Sequence, residues 1–495
     1  MSLDPRTPVI VGAGQLTRRP DDPATATEPA EMMADVLRRA EADADGSRPV
    51  LAALESVRVP QIVSWRYGDP GRAVAERLGV TVRDSVYSTT GGNTPQLLVN
   101  LTAREIAAGD IDVAAVVGAE AVYTRRRARG PEQRLPWSTQ ADGAAPDRTV
   151  GDDRPGSHDV EIARGLLAPV QVYPIFENAL RAAAGESIDT HQERVSELWA
   201  GFSEVAAANQ YAWSRERHTA EEIRTPTPAN RMIAFPYTKL MNANIDVDQA
   251  AGVIMCSVEA ARRLGVPEDR WVFPHAGTDA HDHYWLSERQ DLHSSPGIRV
   301  AAGRALELAG VTADDLAAVD VYSCFPSAVQ IAAAELGLPP DRPLTVTGGL
   351  AFAGGPANNY VTHALAAMVE RLRAEPGGFG LCTGLGWYVT KHSFGVYSTT
   401  PPAAGFRYDQ PQAEVDALPR RAIAGEHDGP VTVESYTVMH DRDGTPLNAF
   451  VACLTGDGAR TWATTDDADV MKAMTVEELC GRAARVTSGA RVDIA

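Results

Sequence analysis

Residues 87–122, YSTTGGNTPQLLVNLTAREIAAGD followed by IDVAAVVGAEAV, constrain the fold more than any other stretch. From Pro95 to Ala107 the apolar residues Leu97, Leu98, Val99, Leu101 and Ile106 fall nearly all round a helix, which predicts burial on most of its sides. Thr94 ahead of Pro95 is a good cap and first-turn pair, so the helix is expected to begin right after GGN. Residues 111–122 then read as a central parallel strand covered on both faces. Strand, glycine turn, buried helix and buried strand point to a layered α/β core.

The alternation recurs. LAAVDVYSCFPSAVQIAAAELG (316–337) reads as a strand running into a helix, and NNYVTHALAAMVERLRAEPGGFGLCTGLGWYVT (358–390) as a helix returning to a strand. Two such halves suggest a duplicated α/β unit with parallel-rich sheets and buried inner helices. Residues 124–240 break the rhythm with a polar, glycine- and proline-bearing run and then helices near 176–186 and 190–215. After Thr399, TPPAAGFRYDQPQAE has the character of a linker. The region beyond it alternates apolar and polar residues around DG turns and contains ADVMKAMTVEEL, which predicts a small OB-like β-barrel of about 90 residues with one helix. The expected division is 1–123 with 236–255 as the first half, 124–235 as an inserted loop domain, 256–400 as the second half and 405–495 as the barrel.

At 495 residues the chain is too long for one ordinary core. A formal charge of −19 disfavours nucleic acid and anionic membrane as partners, because any basic surface would be an island on a repelling background. Cys256, Cys324, Cys382, Cys453 and Cys480 are scattered without finger spacing, so neither a disulfide framework nor a structural zinc site is indicated. The N-terminal MSLDPRTPVIVGAG lacks a signal-peptide pattern and no uncharged run of membrane-spanning length follows, so a cytoplasmic location is expected.

TPVIVGAG (7–14) reads as a buried strand entering a tight turn. It resembles half of a dinucleotide motif, but Thr17 stands where the third glycine belongs. In HAGTDAHDHYWLSERQDLH (275–293), His281 and His283 flank Asp282. Strand alternation would put both imidazoles on one face, yet no third ligand is evident, so no metal is expected and the segment reads as a polar connection over the second half. His392 follows the strand that carries Cys382 and reads either as structural or as a neighbour of the pocket. No GxSxG elbow or Walker-type loop occurs.

Four stretches together resemble the thiolase superfamily, in its sterol-carrier-protein-type branch. GGNTPQLLVNLTAREIAAGD is similar to the family's nucleophile loop and helix, NANIDVDQAAGVIM (242–255) to its NxSxxxDGAAA stretch, VYSCFPSA (321–328) to its NEAF or HDCF element, and GGLAFAGGPANN (348–359) to its GGxxxxGHP turn. LCTGLG (381–386) is like the CxG element. With its C-terminal extension the chain resembles the type 1 thiolase-like proteins of mycobacteria. Counted back from the shared GD at 109–110, the family's acyl-accepting cysteine falls on Gly92, the GHP histidine on Gly355 and the asparagine or histidine of NEAF or HDCF on Tyr322. Of the catalytic set only Cys382 is kept.

The resemblance implies CoA or an acyl-CoA as substrate or ligand, with no further cofactor, and an acetyl-CoA acetyltransferase of lipid metabolism as the inherited label. Glycine cannot form a thioester, and a thiol without an activating neighbour stays mostly protonated near neutral pH, so the usual thiolase route is not expected. Cys382 and Tyr322 are the candidate catalytic residues, for proton transfer. Gly92, Asn93, Gly355 and Gly384 are the candidate substrate contacts, the amides around Gly92 and Gly384 resembling the pair that the family aims at a thioester oxygen. Arg125, Arg126, Arg127 and Arg129 form the best basic island for CoA phosphates, or else a solvated loop. The alternatives are a non-covalent carbon–carbon lyase acting on a β-hydroxyacyl-CoA, with Tyr322 handling protons as in thiolase-fold steroid aldolases, and a non-catalytic scaffold. Monomer and homodimer both remain open, the appended domain being placed to cover a sheet edge that would otherwise pair.

Overall fold

A computed structural model describes residues 3–128, 135–339, 341–487 and 489–494. The first sheet has six strands in the order Pro8–Arg18, Asp248–Ser257, Val113–Ala121, Ser56–Val59, Asp84–Ser88, Arg148–Val150. Val113–Ala121 is buried along its whole length, as its apolar run predicts, but it is parallel only to Ser56–Val59 and antiparallel to Asp248–Ser257. The second sheet runs Leu316–Asp320, Phe379–Gly386, Lys391–Ser398, Phe273–His281, Arg407–Asp409. Between the sheets lie the helices Thr94–Ala108 and Tyr360–Ala374, while Pro29–Ala44 covers the outside of the first sheet and Pro296–Ala309 that of the second. The result is a duplicated, mixed α/β architecture with two inner helices.

Gly12 and Gly14 do not form a turn. They lie inside Pro8–Arg18, and a Cβ on either would run into the main chain of Pro29–Ala44, at Ala40 and Val36 respectively. Glycine in this strand admits a closely packed helix.

The segment 124–235 is not a unit apart. Arg148–Val150 completes the first sheet by pairing in parallel with Asp84–Ser88, and Met232–Ala234 joins the C-terminal sheet at Met439. The cover on the Asp84–Ser88 edge therefore comes from this segment, not from the appended domain. Arg407–Asp409 covers Phe273–His281 in the second sheet in the same way. That strand corrects a further expectation: Phe273–His281 is an interior strand, not a polar connection, since Thr278 is buried under the outer helix, where its hydroxyl donates to the Ala301 carbonyl at 2.7 Å, and Asp279 is buried against the inner helix.

Beyond the linker, Gly429–His440, Pro446–Thr455, Arg460–Thr465, Arg491–Ile494 and Ala483–Thr487 close into a five-stranded barrel, because Gly429–His440 pairs with both Pro446–Thr455 and Ala483–Thr487. Helix Ala468–Val476 packs on it. The barrel is fixed to the core by buried polar contacts. Arg460 donates to the carbonyls of Leu286 (2.6 Å) and Arg289 (2.5 Å) and to both oxygens of Glu434. Trp462 Nε1 donates to Ser287 Oγ at 2.9 Å, and Ser435 Oγ to the Ile175 carbonyl at 2.6 Å. Among the described residues no helix is long and apolar enough to cross a membrane.

Candidate functional site

The glycine turn 91–92 leads into the inner helix Thr94–Ala108, with Asn93 in the cap position. Thr94 is the first helical residue, and its hydroxyl turns back to the Gly91 carbonyl at 2.8 Å instead of capping the helix. The sequence also placed the burial of this helix only in part. Leu97 and Leu101 are half-buried, whereas Gln96, Asn100 and Thr102 are buried. The physical reason lies on the second sheet, where Gly277, Gly384, Gly386 and Gly395 remove side chains from the face the helix meets. A Cβ on Gly384 would meet Asn93 Cα at 2.9 Å, one on Gly386 would meet Asn93 Oδ1 at 2.5 Å, one on Gly395 would collide with Gln96, and one on Gly277 with Asn100. Polar side chains nest over glycine, and their groups are largely satisfied there. Asn93 Nδ2 donates to Ser393 Oγ (3.2 Å), Ser393 Oγ to Asp279, and Asn100 Nδ2 to Asp279 Oδ2 (3.2 Å). Asn93 Oδ1 is buried without a hydrogen-bond partner among the described residues.

Gly92 has no side chain, and the space for one is taken. A Cβ there would collide with Tyr322 Oη and lie 2.7 Å from Tyr322 Cζ and 2.6 Å from the Leu385 carbonyl. Tyr322 is buried, stacks edge-on against Tyr360 at 5.5 Å, and is anchored by its backbone amide, which donates to Thr383 Oγ1 at 2.9 Å. Burial, with the Cys324 thiol beside it, pushes the phenol pKa far above its ordinary value, so Tyr322 carries its proton at any physiological pH. Gly384 packs directly against Asn93. The opening expected between the Gly92 turn and Gly384 is therefore filled in this arrangement, by a phenol on one side and a close backbone contact on the other.

Cys382 lies fully buried on Phe379–Gly386, in register with Asp320 and Gly395. Burial raises its pKa well above the ordinary thiol value, and the Asp320 carboxyl next to it adds to the shift. The thiolate, the reactive form, is therefore suppressed. Gly355 spends its amide on the Asn244 carbonyl at 2.9 Å, and a Cβ there would press on Asn244 O at 3.3 Å, a tight approach, with Leu350 at an ordinary 3.5 Å. Arg125 donates to the Ser64 carbonyl (2.7 Å), Arg126 pairs with Asp246, and Arg127 donates to the carbonyls of Pro20 and Asp21, both at 2.6 Å. Arg129 lies outside the described residues. The arginine run is thus tied to the protein at each described member, which favours a structural part for it.

The histidines take structural places. His281 Nδ1 faces the Asp282 carbonyl at 2.6 Å and its Nε2 faces Arg154 at 2.9 Å, while His283, beyond the end of the strand, faces the Leu418 carbonyl at 3.1 Å. His392 bonds Asp282 Oδ2 at 2.8 Å, where Asp282 also accepts from Gly297 N at the start of the outer helix Pro296–Ala309. Among the described residues no group of three or more His, Cys, Asp or Glu is placed to hold a metal.

One residue of this region escaped the sequence reading. Lys391 projects from the second sheet onto the glycine turn, where its amine donates to the carbonyls of Thr90 and Asp152. It borders a cleft of about 700 Å³ that Asn93, Leu97, Leu101, Asp279 and His281 also line; Gly92, Tyr322 and Cys382 do not line it. The available signal was scarcity, since only three of the 46 basic residues are lysine.

A family model described as the thiolase-like protein type 1 additional C-terminal domain matches residues 411–490. The crystal structure of a monomeric SCP2-thiolase like protein type 1 from Mycobacterium smegmatis is similar over 100% of both chains, with 34% identity and a TM-score of 0.85. Acetyl-CoA acetyltransferases of Methanocaldococcus jannaschii (28% identity over 134 residues) and Methanothermobacter thermautotrophicus (27% over 191 residues) match 27% and 35% of this chain. Those matches span only 33% and 48% of the relatives' own lengths.

Proposed function

Because the chain belongs to the SCP2-thiolase-like proteins of type 1, within the thiolase superfamily, we propose that it binds CoA or an acyl-CoA thioester without carrying out covalent thiolase turnover. The observation that carries this reading is the pairing of Gly92 with Tyr322. The position that would attack a thioester bears no nucleophile, and a protonated phenol stands in its place. Cys382 does not compensate, as its thiol is buried and held protonated. Thioester binding is supported by the family and by the partial likeness to acetyl-CoA acetyltransferases. The lyase alternative asks Tyr322 to exchange its proton, which its burial opposes.

Calorimetric titration with CoA, acetyl-CoA and a medium-chain acyl-CoA tests this reading. Heat of binding to at least one of them, with no acyl group found on any cysteine by intact-mass analysis, is the expected result. Absence of any response at millimolar ligand rejects binding, and a cysteine acylated at the rate of turnover rejects the non-covalent part.

We also propose that the chain works as a monomer in the cytoplasm. The Asp84–Ser88 edge is already paired with Arg148–Val150 from the same chain, which leaves only a three-residue outer strand there for a second copy to pair with. Sedimentation velocity should give one species of single-chain mass that does not change with concentration; a dimer persisting on dilution would contradict this.

A further inference from the structure

The three lysines, Lys239, Lys391 and Lys472, differ sharply in setting. Lys239 and Lys472 are exposed, whereas Lys391 is only 4% exposed. In a chain that otherwise uses arginine for its cations, a buried lysine is the side chain that can lose its charge and act as a nucleophile.

Two glycines admit it. A Cβ on Gly91 would stand 3.1 Å from Lys391 Nζ, and one on Gly386 would stand 3.0 Å from its Cε. The amine has two hydrogen-bond acceptors, the carbonyls of Thr90 and of Asp152 at 2.9 Å. Those two contacts use both hydrogens of a neutral amine and leave its lone pair unengaged. Gly91 presents no side chain to cover the nitrogen. The cleft that Lys391 borders carries an apolar wall from Leu97, Leu101 and Val150. The turn leading into Lys391 is held in an unfavourable conformation, with Trp387 at φ 56° and the β-branched Val389 at φ 53°. Tyr173 Oη, donating to the Trp387 carbonyl at 2.7 Å, and Tyr388 Oη, donating to the Leu167 carbonyl at 2.6 Å, fasten that turn.

We propose that Lys391 captures an aliphatic aldehyde or ketone as a Schiff base in this cleft. The Nζ lone pair adds to the carbonyl carbon and forms the C–N bond. The carbonyl oxygen then leaves as water, taking both amine hydrogens through solvent, as the C=N bond forms. No electrons are exchanged with any third species. The hydrocarbon part lies along Leu97, Leu101 and Val150, and protonation of the imine gives an N–H that the carbonyls of Thr90 and Asp152 are placed to accept. Burial lowers the Lys391 pKa to about 8 against the opposing pull of the Asp152 and Asp153 carboxylates, with Arg154 adding to the fall, which maintains a neutral fraction at neutral pH that an exposed lysine lacks. Capture of a free carbonyl compound is independent of thioester binding, so failure of the CoA titration leaves it standing.

The test is reductive trapping on the full chain. The protein is incubated with hexanal or 2-octanone, reduced with sodium borohydride and mapped by peptide mass analysis. Alkylation of Lys391 should proceed about tenfold or more faster than that of Lys239 and Lys472 at neutral pH, with a rate that rises through about pH 8. Lys391→Arg keeps the cation and should abolish the product at this position. Modification of Lys239 and Lys472 with Lys391 left intact, in protein whose thermal unfolding is unchanged, overturns the proposal. Should Lys391→Arg fail to fold, the peptide map of the unaltered chain decides alone.

Discussion

Gly92→Cys is expected to yield a less stable protein with no thiolase activity. The new Cβ would fall on Tyr322 Oη, 2.7 Å from the ring carbon behind it and 2.6 Å from the Leu385 carbonyl, in a fully packed region. Tyr322 cannot simply rotate away, since its ring is wedged against Tyr360 and its backbone is tied to Thr383. Overpacking of this kind costs about 1–3 kcal/mol, and a collision with backbone as well as side chain belongs at the upper end. Tyr322→Asn alone should also destabilise, by loss of the ring. Combined, Gly92→Cys and Tyr322→Asn should cost clearly less than the sum of the two, because each removes the other's obstacle, with a coupling of about 1 kcal/mol or more. Urea denaturation of the four proteins measures this. Strict additivity would show that Tyr322 does not occupy the place of the missing side chain.

Arg460→Ala should have a still larger effect and release the barrel from the core. Its guanidinium is wholly buried and joins Glu434 of the barrel to the carbonyls of Leu286 and Arg289 of the second half. Removal of the cation leaves the mostly buried Glu434 carboxylate with only Arg421, 3.9 Å away, and takes the guanidinium from two carbonyls, of which Leu286 keeps the Arg289 amide. Breaking a buried pair in this way costs about 3–5 kcal/mol. Lysine is not an adequate substitute, because a single ammonium cannot bind both carboxylate oxygens and two divergent carbonyls. Calorimetry should then resolve a separate, earlier transition, with proteolytic cleavage in 417–428, ahead of the first barrel strand. A single transition shifted by less than about 1 kcal/mol would show that other contacts carry the docking.

The alternation of strand and inner helix was legible because apolar periodicity is a local property, and the barrel was legible from alternating residues around DG turns. What was illegible depended on partners distant in sequence. Gly12 and Gly14 read as a turn until Ala40 and Val36 supply the helix that needs them. Residues 275–293 read as a polar connection, although their start belongs to the strand Phe273–His281, where Asp279 is buried and accepts from Asn100 of the inner helix. Arg148–Val150 is three residues long inside a polar run, and only the open edge of Asp84–Ser88 turns it into a strand. At the site, the glycine at 92 was visible in the chain, whereas its being filled by Tyr322 requires the two halves to meet. Lys391 was overlooked for a similar reason, since a lone lysine ordinarily signals a solvated surface.

The strips Arg148–Val150 and Arg407–Asp409 have a consequence for how this molecule can change over time. Each covers a longer strand with only three residues and becomes a short edge itself, so the protection rests on short, replaceable pieces of chain rather than on a subunit boundary. Substitutions that loosen either strip would uncover an unsatisfied backbone rim, and the first outcome would be self-association rather than unfolding. New quaternary forms are therefore accessible to this lineage through a very small number of mutations, with the core left untouched.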